Sequence, residues 1–245
     1  TKSRGQLSDL HSIRSRIARL IMLTCLLLPL FACKDDMTPE QRWLAFTTEQ
    51  IMQGYGDLAD QASELEHTAA DFCQHPDSAG LQKTQDAWRT AMASWQRMQW
   101  LRLGPITQEN DDWKLQFWPD KKNILQRKAQ ELLDRNEIIT ADSLAHASVV
   151  VQGFSAQELL LFDPQFATPE RFAAPSRQCE LLRAATGRTA IVTDKLAASW
   201  QDTSWLERWA TPAVSNPALA PAQVRNGELI DALLAQVERM KADKL

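Results

Sequence analysis

From Leu44 to Phe72 the apolar positions keep a seven-residue beat: Leu44, Ile51, Leu58, Leu65 and Phe72 recur in register, with Tyr55, Ala62 and Ala69 between them. That period places every member on one stripe of an α-helix, so the stretch predicts a long bundle helix. Thr38-Pro39 supplies its start, with Thr as N-cap and Pro at the first helical position; it ends near Cys73, before the His75-Pro76-Asp77 turn. A second helix is predicted from about Gly80 to Leu103, with Trp88, Met92, Trp95 and Gln99 on one core-facing stripe and Gly104-Pro105 as its stop. Residues 106–119 (ITQENDDWKLQFWP) hold no sustained helical period. A connection that long, carrying Trp113, Phe117 and Trp118, is expected to fold over a core or line a site. A third helix follows from about Asp120 to Glu137, burying Ile124 or Leu125, Ala129 and Leu132.

The stretch Leu144 to Phe162 reads as a fourth helix with the stripe Leu144, Ala147, Val151, Phe154, Glu158, Leu161 and Phe162. Glu158 thus stands where a Leu is expected, and a carboxylate against a core has to be paired, hydrogen-bonded or neutralised. Ser155 lies one turn earlier on the same face, and Gly153 leaves room for another backbone or a ligand beside them. Two readings stay open: a structural Glu tied to an Arg or Trp of a neighbouring helix, or a ligand site. After the Pro-containing break at residues 163–169, a helix from about Ser176 to Gln201 carries Cys179, Leu182, Ala185, Val192 and Leu196 on one face. The Pro-rich linker Thr211 to Pro221 leads to a last amphipathic helix on Leu229, Leu233, Val237 and Met240, which stops in mid-pattern at Leu245 and suggests a domain incomplete at its C-terminus. With no run of two-residue alternation and only eight Gly, the expected fold is all-α, an up-and-down helical bundle.

Residues 1–32 read as an export signal. Arg14, Arg16 and Arg19 form a basic flank before the apolar run Leu20 to Ala32, which is short for a membrane-spanning helix. Leu30-Phe31-Ala32-Cys33 resembles a bacterial lipoprotein cleavage box, with Cys33 as the lipidated first residue of a mature domain spanning residues 33–245; an uncleaved anchor is the alternative. Lys34, where Asp would retain a lipoprotein in the inner membrane, favours the outer membrane, facing the periplasm. Cys73 and Cys179 then remain as an even pair in an exported chain and are expected to be joined. Residues 1–32 hold five Lys or Arg and one Asp, which leaves 22 bases against 30 acids, a net of −8. Such a surface makes nucleic acid an unsuitable partner.

Leu101-Arg102-Leu103-Gly104-Pro105, the run FWPDKKN from Phe117 to Asn123, and Gly153-Phe154-Ser155-Ala156-Gln157-Glu158 leading into LLLFDP resemble the imelysin-like family of bacterial envelope proteins. The resemblance covers most of the mature chain. It implies an all-helical fold of two bundle halves with a site near their junction, an association with iron acquisition, and a historical peptidase label. The family signature is Gly-x-His-x-x-Glu. Here Gly153 and Glu158 match, and Ser155 stands in place of the His. A neutral imidazole is a first-rank ligand for transition metals and a Ser hydroxyl a poor one, so Glu158 is at most a single ligand for iron or another divalent ion. His146 lies some three turns before Glu158, too far for both to chelate one ion within a helix.

The candidate site is accordingly Gly153, Ser155 and Glu158 with Arg102, Trp118 and Asp120. Three functions compete: a non-enzymatic lipoprotein that binds a ligand or envelope partner in iron or metal uptake, a metallopeptidase, and a structural bundle without a small-molecule site. The first is favoured by the Ser155 departure, because activating a water on a metal needs about three protein ligands.

Overall fold

A computed structural model describes residues 37–244; the proposed signal segment and Cys33 lie outside the described residues. Within Pro39–Leu245, one compact unit, the described elements are helices and turns with no strand. Helix α1 (Pro39–Gln74) is followed by α2 (Ser78–Met98), then four short helices, α3 (Pro105–Gln108), α4 (Asp111–Leu115), α5 (Ile124–Leu133) and α6 (Ala141–Ala145). A 3-10 turn (Val149–Val151) precedes α7 (Gly153–Phe162), another (Pro169–Phe172) precedes α8 (Arg177–Gln201), and α9 (Thr203–Ala210) and α10 (Pro221–Lys244) complete the order. The all-helical architecture follows the sequence patterning.

Helix α1 is the spine. Its seven-residue stripe is buried in full, and it packs against α2 on one side and α8 on the other. Asp77 caps α2 by accepting from the Gly80 N–H at 2.6 Å, which turns the chain back within three residues. Helix α8 also runs antiparallel to α1: Cys73 near the end of α1 is joined to Cys179 near the start of α8, and Tyr55 stacks on Trp200, their ring centroids 6.0 Å apart. Short α7 lies over α2 and α8, antiparallel to both, as Gln85 donates to the Leu161 carbonyl and Trp88 to that of Phe154. The result is an up-and-down arrangement of α1, α2, α7 and α8.

Four elements differ from the sequence reading. The helix expected from Leu144 to Phe162 is broken into α6, the 3-10 turn and α7: Ser148 and Gln152 leave the helical region at ψ 135° and 165°, and Gly153 follows at φ +67°. Helix α5 starts at Ile124 and not at Asp120, since Asp120 stands before it and accepts from the Ile124 and Leu125 N–H groups at 2.9 and 2.8 Å. Helix α2 stops at Met98, five residues short of the expectation, and the next residues turn so that Leu101 is buried. In α10 only the first half packs as predicted: Leu229 is buried, whereas Leu233, Val237 and Met240 are each close to half exposed. Among the described residues no helix is long and apolar enough to cross a membrane.

The Cys73–Cys179 bridge closes a separation of 106 residues and ties the two longest helices at one end. In the chain-entropy description a loop of that length adds about 4 to 5 kcal/mol through the unfolded state. Thiol titration of the unfolded protein is expected to find neither of these cysteines free. The Cys73→Ser/Cys179→Ser double variant should lose about 2 to 5 kcal/mol in urea unfolding; unchanged stability would show that the bridge constrains nothing.

Candidate functional site

The connection between α2 and α5 is held by three contacts, two to the start of α7 and one to α2. A Cβ added to Gly153 would lie 2.2 Å from the Leu115 carbonyl oxygen and 2.3 Å from that of Lys114, so the end of α4 presses on a backbone with no side chain. Ser155, buried, donates its hydroxyl to the Phe117 carbonyl at 3.0 Å. Trp95 of α2 donates its indole N–H to Gln116 at 2.8 Å. These contacts fix the backbone of residues 114–117 while leaving the rings of Trp113 and Trp118 about half exposed at its surface. The room beside Gly153 inferred from the sequence is therefore taken by another backbone.

The same break changes which polar residue of α7 is buried. Because α7 begins anew at Gly153, its phase is independent of Leu144 and Ala147, and Phe154, Gln157, Leu160 and Leu161 turn inward. Gln157, fully buried, donates to the Ala185 carbonyl at 3.0 Å and to the Thr189 hydroxyl at 2.7 Å. Glu158 lies on the exposed side. The expectation of a carboxylate on the core stripe is corrected: the buried polar group is the neighbouring amide. Surrounding protein still desolvates one side of Glu158 and raises its pKa above the ordinary carboxylate value, with no ion pair to oppose the shift.

The other candidates are placed as follows. Arg102 is exposed and pairs with Asp112 of α4 at 3.4 Å. Trp118 is 52 % exposed. For Asp120, burial works to raise the pKa, but the Leu125, Ile124 and Lys122 N–H groups outweigh it, so the carboxyl stays below its ordinary value as a helix cap. No hydrogen bond or ion pair joins Glu158 to Arg102 or Asp120. The sequence reading missed Asp111, which is fully buried between Lys195 of α8 at 2.6 Å and Lys114 at 2.9 Å, with Glu109 at 3.1 and 3.2 Å from the same two lysines. Burial opposes the Lys195 charge, yet Asp111 and Glu109 prevail and hold its pKa above the ordinary value. The run ENDDWK carries no local sign that its third residue is the buried one.

The profile of the family Peptidase_M75, Imelysin, matches residues 51–245. This chain belongs to the imelysin family. It is 28% identical over 117 residues to iron-regulated protein A of Synechococcus elongatus, an alignment covering 48% of this chain and 30% of that one. Its fold matches the crystal structure of an imelysin-like protein from Psychrobacter arcticum 273-4 with a TM-score of 0.72 at 23% identity, over 85% of this chain and 63% of the other. The chain thus spans less than two thirds of the length of either. The metal that a peptidase label implies finds no fitting donor set at the motif, where the Ser155 hydroxyl is spent on a carbonyl and Glu158 faces solvent alone. Among the described residues no group of three or more His, Cys, Asp or Glu could hold a metal ion.

Gly153→Ala should cost roughly 3 to 5 kcal/mol, from a strained φ and a blocked close approach. Ser155→Ala should cost about 1 kcal/mol. Urea unfolding measures both, and neutral values would break the account of how residues 114–117 are held.

Glu158→Gln should lie within about 0.5 kcal/mol of the parent at neutral pH, as for an exposed side chain, whereas Gln157→Glu should lose about 3 kcal/mol or more by burying a charge. An acid whose folded pKa is raised favours the fold when protonated. Its contribution is present below the unfolded pKa and is lost as pH rises through the folded value. Glu158→Gln should therefore lessen the fall in stability as pH rises from the ordinary Glu range, and an unchanged profile would remove the desolvation argument.

Proposed function

We propose that this chain is a non-enzymatic, ligand- or partner-binding imelysin in iron or other metal acquisition, carried on the periplasmic face of the outer membrane by lipid on Cys33. The observation that supports recognition over hydrolysis is the use of the Ser155 hydroxyl. A side chain that donates to the Phe117 carbonyl is a latch for the aromatic connection, and it leaves Glu158 exposed as a single carboxylate one turn away. A partly desolvated, unpaired carboxylate suits a cationic or polar partner group, which it would hold by charge-assisted hydrogen bonding. The name of the Synechococcus relative, iron-regulated protein A, supports the iron context.

A bacterium carrying Glu158→Gln should grow normally in iron-replete medium and more slowly than its parent under iron limitation, with the variant folded to the parental stability. Normal growth under limitation would overturn the role of Glu158. Cleavage of a peptide library by metal-supplemented protein, abolished in Glu158→Gln, would restore the metallopeptidase reading. Lipid labelling that persists in Cys33→Ala would remove the anchor from the proposal.

A further inference from the structure

We propose that a cavity walled by α1, α8 and residues 138–141 binds a small zwitterion with an apolar group, of the α-amino acid class. The cavity measures about 380 Å³ and is lined by Glu66 of α1, Glu180 and Arg183 of α8, and the apolar Ala70, Ile139 and Ala184. That volume lies within the range of small-molecule sites, unlike the neighbouring cavity of about 190 Å³ around Arg135, His146 and Arg177.

Of its three charged groups, one is committed and two are free. Glu180 accepts from the Ile139 N–H at 3.2 Å and pairs with Arg177, pinning the segment that forms one wall. Glu66 and Arg183 line the same cavity, yet neither has a side-chain hydrogen bond or ion pair, with each other or with any other residue. Glu66 rests over Gly187, where an added Cβ would come 3.1 Å from its carboxylate oxygen, so the glycine leaves the carboxylate its seat. Opposite charges that share a concavity without meeting present two poles to an entering molecule. An ammonium on Glu66 and a carboxylate on Arg183 would each form a charge-assisted hydrogen bond, while the apolar lining takes a hydrocarbon side chain. A simple anion would have to approach Glu66 and Glu180, and a simple cation would have to approach Arg183; a molecule carrying both charges avoids either conflict. None of these residues belongs to the Glu158 face, so the inference stands apart from the iron reading.

Calorimetric titration of the full chain with leucine, N-acetyl-leucine and leucine methyl ester tests it. Leucine is expected to bind saturably at one site, with each blocked derivative and each of the variants Glu66→Gln and Arg183→Gln weakening binding by about tenfold or more. Gly187→Ala, which crowds the seat of Glu66, should weaken leucine in the same direction. Arg183 is exposed, so its variant keeps the test open even if a change at Glu66 disturbs folding. Absence of saturable leucine binding into the millimolar range would overturn the proposal, as would N-acetyl-leucine or the ester binding as tightly as leucine, or unchanged binding in Arg183→Gln.

Discussion

The approach of the α4 carbonyls to Gly153 is the constraint on which this face of the protein depends. At 2.2 and 2.3 Å from where a Cβ would be, the Leu115 and Lys114 oxygens occupy space that any other residue would fill. The positive φ at that close approach follows extended Gln152, at the point where the 3-10 turn has ended and the helix starts again. One missing side chain thus seats the aromatic connection, sets the phase of α7, and decides that Gln157 goes inward and Glu158 outward.

Several polar groups in the interior around that constraint find partners that the helices supply. Gln157 reaches the carbonyl and hydroxyl of α8, Trp88 reaches the Phe154 carbonyl, and Asp111 sits between two lysines from different elements. A buried carboxylate costs several kcal/mol without such partners, so the Asp111 contacts also tie the α4 end of the connection to α8. The signature positions consequently serve architecture: glycine as a seat, serine as a latch. Glu158 alone keeps its functional group free, which is why the proposed recognition role rests on it.

Much of the fold was legible from local pattern. The seven-residue stripe of α1 is buried throughout, since a helix 36 residues long carries its own periodicity whatever it meets. The helix expected from about Ser176 to Gln201 is α8, Arg177–Gln201, and the Cys73–Cys179 pair follows from counting thiols in a chain read as exported. The imelysin resemblance rested on contiguous motifs and was equally accessible.

What the sequence could not decide is where a short element points once a distant one touches it. The φ of Gly153 is chosen by contact with residues 114 and 115, some forty positions away, and a continuous helical pattern from Leu144 to Phe162 gives no sign of it. Asp111 and Asp112 look alike in the chain, yet one is fully buried because Lys195 of α8 lies across from it. Glu66 and Arg183 are ordinary helix-surface charges until packing of α1 against α8 sets them in one cavity. Helix periodicity is local and survives reading along the chain; the orientation of a side chain after a glycine break, and the partners of a buried charge, are set by residues far away in sequence, and only the tertiary structure brings those together.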